Sequence, residues 1–296
     1  MSQPSDMAAF VRIVETGGLA PAARDLGLTP SAMSKQLARL EARLGVRLLT
    51  RTTRRIGLTP EGEIYLARAR DILSLIEAAE QDVTEGRGRP RGLLRVNTGT
   101  AFARHRLIPL LPTFFERFPA ITLDLTVTDR RVDLVAEQAD VLLRTGALGD
   151  SSLIARKIAE GRRVICAAPA YLERRGRPAT PEELLSHDCL VLRGRARLTT
   201  WPFRMATGLQ TLTVRGVVTT DSAEALRDMA LAGLGIIRVS AFVVARDIAE
   251  GHLVALFEDL HVSEDVPVWA VTAPGRHRLP RVQAFVDFLA SRALEW

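Results

Sequence analysis

The most restrictive feature of this sequence is a Thr-Pro pair, Thr29-Pro30, set between apolar repeats of helical spacing. A threonine hydroxyl caps a helix well, and proline fits the first helical turn, where its missing N–H costs nothing. A helix therefore begins there, runs to Leu44 and stops at Gly45, with Met33, Leu37, Leu40 and Leu44 on its inner face. Upstream, Met7, Phe10, Val11 and Val14 make one helical face, with Asp6 as the expected cap and Gly17-Gly18 as the stop. Leu19, Ala22, Ala23 and Leu26 form a second, short helix ended by Gly27. Two short helices joined by the tight turn Gly27 to Thr29 make a helix-turn-helix, with the recognition helix second.

The outer face of that third helix carries Ser31, Lys35, Ala38, Arg39 and Ala42, with Ser34 on its flank. Bulky groups are absent, so the backbone can approach a surface closely. Short hydroxyls and a cation near the helix start can reach base edges, while longer arginines reach phosphates. Charge agrees. From Arg24 to Arg55 eight cations face only Asp25 and Glu41, a net +6 equal to that of the whole chain. Such a local excess is the footprint expected of a nucleic-acid contact, here double-stranded DNA given the helix-turn-helix, while on charge alone a solvated basic surface reads equally well. Next, Val46 to Leu49 and Ile56 to Leu58 flank a polar loop and predict a hairpin with Arg51, Arg54 and Arg55 at its tip. Arginines so placed would lie along the phosphates or in the minor groove.

Thr59-Pro60 repeats the cap signal and opens a helix reaching about Glu85. Tyr65, Ala69, Ile72, Ile76, Ala79 and Val83 follow a heptad seam, and the charges fall off it. A seam of this kind either packs on its own domain or pairs with a second copy. The preceding block is too small to cover it, which favours a homodimer or homotetramer. Residues 86–92, rich in glycine and proline, read as a linker.

The run AARDLGLTPSAMSKQLARLEARLGVRLLTRTTRRIGLTPEG, within Phe10 to Leu66, resembles the winged helix-turn-helix of LysR-type transcriptional regulators. Two departures stand out. Pro30 occupies a position where the family commonly carries a base-contacting glutamine, which shifts specificity onto Ser31, Ser34 and Lys35. Ala20 stands at a cap position that is usually serine or threonine.

From Leu93 the chain alternates β-rich and helical stretches, which predicts an α/β architecture with largely buried sheets. Strands are expected at Leu93–Val96, Ile121–Val127, Val141–Leu143, Val164–Ala168, Val214–Val218, Gly235–Val239 and Val268–Thr272. Helices are expected at Leu107–Phe118, Val132–Ala136, Ser222–Ala232 and from Pro280 to about Leu294. No phosphate-binding loop, nucleophile elbow or metal-ligand histidine spacing is present, so neither a cofactor, a metal nor an enzyme is expected. Cys166 lies in an apolar strand and reads as core, and Cys189 beside His187 and Asp188 makes no triad. The two cysteines form no disulfide framework, the start of the chain has no secretory apolar segment, and no apolar run reaches the ~18–20 residues of a membrane span. A cytoplasmic protein without membrane contact is the expectation.

FFERFPAITLDL, ADVLLRTG, DSSLIARKI, ICAAPAYL, the Trp201-x-Phe203 pair and ALAGLGI are similar to the effector-binding domain of the same family. The resemblance implies two α/β lobes like those of periplasmic binding proteins, crossed twice by the chain. It divides the chain into a winged helix-turn-helix over 1–59, a dimerising helix and hinge over 60–92, and an effector domain over 93–296. Lobe one then spans about 93–162 and 268–296, and lobe two about 163–267. Carried over by resemblance, the cleft residues are Thr98, Thr100, Thr128, Arg144, Trp201 and Thr220. Helix N-termini favour anions, and an arginine among hydroxyls suggests a small carboxylate effector. Ala101 stands where many members have serine. A nonspecific architectural DNA binder or a metabolic enzyme are the rival readings.

Overall fold

The computed structural model describes residues 3–51, 56–84, 90–130, 139–148, 153–193 and 198–293. The chain divides into two compact units, Met1–Arg89 (with Gly275–Pro280) and, on the other side, Pro90–Leu134, Ala139–Pro274 and Arg281–Trp296.

In the first unit, helices α1 (Gln3–Thr16), α2 (Leu19–Asp25) and α3 (Pro30–Leu44) precede strands β1 (Leu49–Arg51) and β2 (Ile56–Leu58) and helix α4 (Pro60–Thr84). Thr29 caps α3 as expected, its hydroxyl accepting from the Ala32 N–H at 3.2 Å, and Gly45 ends it in a left-handed conformation at φ 72°. Thr59 does the same for α4, accepting from Gly62 N–H at 2.9 Å. Gly62 must be glycine, because a Cβ there would lie 2.0 Å from the Leu48 carbonyl oxygen. The core joins Phe10, Ile13, Ala22, Met33, Leu37, Leu40, Leu48 and Leu66, all at most 3% exposed.

Two details differ from expectation. The buried face of α1 centres on Ala9, Phe10 and Ile13, leaving Met7 and Val14 at its half-buried margin. Asp6 lies inside α1, where it cannot cap the helix, and its carboxylate instead takes a bidentate pair from Arg39, Nη2 at 2.6 Å and Nε at 3.2 Å.

The second unit holds two five-stranded sheets. The first is ordered β4-β3-β5-β14-β6, from β3 (Gly92–Thr98), β4 (Ile121–Val127), β5 (Val141–Thr145), β6 (Ile154–Gly161) and β14 (Val266–Thr272). The second is ordered β11-β8-β12-β7-β13, from β7 (Arg163–Ala167), β8 (Cys189–Leu192), β11 (Gly216–Thr220), β12 (Ile236–Ser240) and β13 (Val254–Leu256). The chain passes to the second sheet at Arg162 and returns between Leu256 and Val266, which gives two lobes with two crossings. Helix α10 (Pro280–Ser291) closes lobe one, its Phe285 and Phe288 rings each 5.3 Å from Phe114.

Expected and observed elements part company in several places, β8, β13 and the helices at Pro169–Arg175 and Ala241–Ala249 being unforeseen as well. The helix expected from Leu107 starts at Thr100: α5 (Thr100–Phe102), a π-turn (Ala103–Leu107) and α6 (Ile108–Arg117) follow without a break. The polar Arg104-His105-Arg106 run hid that start. The strand expected at Val214–Val218 is present as β11, shifted to Gly216–Thr220, and an unexpected hairpin, β9 (Thr200–Met205) and β10 (Gly208–Thr213), precedes it. The edge strand β6, with the charged stretch Arg156-Lys157, was missed altogether. The expected helix Val132–Ala136 lies outside the described residues. Lobe two also contains α7 (Pro169–Arg175), α8 (Ala223–Leu231), capped by the Ser222 hydroxyl, and α9 (Ala241–Ala249).

Candidate DNA-binding surface and ligand cleft

The outer face of α3 is built as the spacing requires. Ser31, Lys35, Ala38, Arg39 and Ala42 are exposed and Ser34 is half-buried, while Met33, Leu37 and Leu40 anchor the opposite face. Ser31 Oγ lies 3.1 Å from Thr29 Oγ1 at the helix start. Arg39 needs revision as a simple phosphate contact: its pair with the buried Asp6 locks it onto α1, and that hydrogen bond raises its pKa. Glu41, seen in the sequence only as an anion, turns its Oε1 onto the N–H groups of Leu48 and Leu49 at 2.8 and 3.2 Å and so fixes the entry to the hairpin. Strands β1 and β2 pair antiparallel, Leu49 opposite Leu58. Arg54 and Arg55 fall outside the described residues, as does the side chain of Arg51.

The α4 seam divides. Ala69 is fully buried in the unit's own core and Tyr65 packs its ring 5.5 Å from Phe10, so these two serve the domain rather than a partner. The apolar groups left in solvent are Ile64, Ile72 and Leu75, at 68%, 40% and 45% exposed, with Ala79 also exposed and Ile76 half-buried. The side chain of Val83 lies outside the described residues.

Between the lobes of the second unit lies a cleft of about 750 Å³. Among the described residues, five carboxylates and five cations line it, so its wall has no strong charge bias. Thr128 and Arg144 line it. Arg144 spends both terminal nitrogens on Asn97 Oδ1 at 3.1 Å and one of them also on the Leu143 carbonyl. The Thr100 N–H donates to Asp129 Oδ1 at 2.8 Å, so the helix start expected to greet an anion already holds one. Thr98 is completely buried and does not line the cleft. Thr220 does not line it and accepts from the Ser222 N–H at 3.2 Å. Trp201 is a correction: at 1% exposed it belongs to the lobe-two core, its Nε1 donating to the Leu198 carbonyl at 3.1 Å.

One constellation escaped the sequence reading. His105 and Arg104, on the π-turn of lobe one, reach Glu224 on α8 of lobe two at 2.8 and 3.3 Å. Phe102 meets Phe242 edge to face at 6.1 Å, and the Arg106 guanidinium stacks over the same ring. These contacts bind the lobes together at the cleft mouth. The only signal in the sequence was an acidic residue in the first turn of a capped helix, which is too common to single out. Burial pushes the thiols of Cys166 and Cys189 up to about 12, which leaves them protonated and inert. No cluster able to hold a metal ion occurs among the described residues, and no described helix is long and apolar enough to cross a membrane.

A family model described as the LysR substrate binding domain matches residues 87–294. One described as the bacterial regulatory helix-turn-helix protein, lysR family, matches residues 4–63. The transcriptional regulator CrgA of Neisseria meningitidis serogroup C (strain 8013) is 38% identical over 284 residues, covering 96% of this chain and 95% of its own. A helix-turn-helix regulator of Xanthomonas campestris pv. campestris (strain 8004) is 36% identical over 292 residues, covering 97% and 85%. The solved structure of CrgA from Neisseria meningitidis matches with a TM-score of 0.65 at 36% identity, over 99% of both chains.

Proposed function

The chain belongs to the LysR family of helix-turn-helix transcriptional regulators, and from that premise we propose that it reads a specific DNA sequence under the control of a small carboxylate. It is a regulator and not an enzyme. The observation that carries the DNA reading is the outer face of α3: small, polar and basic, with Ser31 and Lys35 exposed near the capped start. Ser31, Ser34 and Lys35 would read base edges in the major groove. Arg51, Arg54 and Arg55 would fix register on phosphate.

Two or four protomers would assemble through the exposed α4 stripe of Ile64, Ile72 and Leu75, which places recognition helices on successive half-sites. A ligand in the cleft would act on the lobe angle, held in this structure by Glu224 against His105 and Arg104. Its effect on DNA would follow from the spacing of the two recognition helices. Coupling of this kind is typically worth ~1–3 kcal/mol. The arginines in the cleft lining, Arg144 and Arg163 among them, support a carboxylate.

The test is a comparison of substitutions on DNA. Lys35→Ala should relax sequence preference by about 1–3 kcal/mol. Arg54→Ala should weaken every duplex alike and flatten the salt dependence. The opposite pattern would remove the contact assignment.

A further inference from the structure

A buried arginine at the lobe hinge has donors without acceptors. Arg238, on β12, has a side chain only 1% exposed. Its Nε donates to His261 Nε2 at 2.9 Å, while Nη1 and Nη2 have no hydrogen-bond partner. A Glu264 carboxylate oxygen stands 3.9 Å from Nη2, too far for a hydrogen bond. Arg163, on the neighbouring strand β7, has a buried Nε that is likewise unpartnered. It lines the cleft together with Glu264.

His261 adds no charge. Burial and the two arginines hold its pKa down at about 4, so at neutral pH it is an uncharged acceptor. Burial and Arg163 hold Arg238 down to about 10 against the pull of Glu264, which still leaves it charged. Two guanidinium groups thus share one half-exposed carboxylate. The place matters as much as the chemistry. Arg163 opens lobe two at the first crossing, and its N–H donates at 2.8 Å to Ser263 Oγ in the returning crossing.

Desolvated guanidinium donors with too few acceptors favour an anion, and a carboxylate standing where Glu264 stands, between the cleft and the buried Arg238, can offer its two oxygens to the unpartnered Nη groups. We propose that Arg238 and Arg163 form a carboxylate-binding site at the hinge, in which an incoming carboxylate replaces Glu264 as counterion. Arg144 is the weaker anchor because Asn97 and Leu143 already take its donors. The proposal rests on the cleft being a ligand site and is independent of how DNA is read.

The experiment is thermal unfolding of the full chain, with sodium acetate exchanged against a bulky sulfonate buffer anion at constant ionic strength. Acetate well above its Kd should raise Tm by ~5–10 °C. Arg238→Met should fold, since an apolar group replaces an under-paired buried charge, and should lose the acetate response. Glu264→Gln, at a half-exposed position, should lower the acetate concentration needed by about tenfold, a gap of ~1.4 kcal/mol. A chloride arm separates the sources: a response to acetate alone marks the carboxylate of an organic ligand, whereas an equal response to chloride would overturn the carboxylate assignment. No acetate response in the unaltered protein, or an undiminished one in Arg238→Met, would overturn the site. DNA binding retained in such a failure would show that the regulator reading stands without it.

Discussion

Single side chains decide what each face of this protein is free to do. Arg39 looks in sequence like one more phosphate contact, yet its pair with Asp6 commits it to holding α3 on α1. Lys35, one helical turn earlier and exposed, has no such duty. His261 carries a prediction about acid. Its folded pKa of about 4 lies below the ordinary value of 6.5, so the unfolded chain takes up a proton that the folded one refuses. Stability is then full above pH 6.5 and falls as pH drops from 6.5 toward 4. Tm measured across that range should show the loss, and His261→Gln, which keeps an acceptor for Arg238, should remove this component; an unchanged slope would refute the assignment. None of this was legible beforehand, because Asp6, Arg39, His261 and Arg238 are joined only by the fold, each pair many residues apart.

At the scale of elements, legibility tracked local signals. Helix α3 could be bounded to the residue, since Thr29, Pro30 and Gly45 act within one turn of its ends. Its inner face was equally plain, and Leu37, at 1% exposed, gives the matching prediction. Leu37→Ala should cost about 2–5 kcal/mol of stability, read from denaturant unfolding, because the surrounding helices cannot close the cavity. A loss under about 1 kcal/mol would mean that the three-helix core is looser than described. The edge strand β6 and the hairpin β9–β10 were not legible. β6 and β10 are largely solvent-facing, so the alternation that marks a half-buried strand is missing, and β9 carries Pro202 between its buried Trp201 and Phe203, a residue that argues against a strand. Trp201 was a cleft candidate by family resemblance alone, and β9 turns it into the core.

For the molecule as a whole, the two-lobed α/β architecture behind a helix-turn-helix was legible from the order of elements and from the family resemblance. The cleft itself was legible only in part. Thr128 and Arg144 reach it, whereas its latch of Glu224, His105 and Arg104 depends on residues more than a hundred positions apart. Assembly is a property of this scale too. With Ala69 and Tyr65 turned inward, the proposed pairing would run through Ile64, Ile72 and Leu75. Ile72→Asp should therefore shift the protein to monomer in sedimentation without lowering the stability of the isolated fold, while an oligomer that persists would place the interface elsewhere.

Whether the outer face of α3 selects a DNA sequence is decided by quantitative footprinting on the DNA upstream of the protein's own coding region. Two protected segments are expected, centred about one helical turn, or a multiple of it, apart on one face of the duplex, both lost in Lys35→Ala at concentrations that still coat DNA generally. Uniform protection along the whole fragment, unchanged by that substitution, would contradict sequence selection and leave a nonspecific DNA binder.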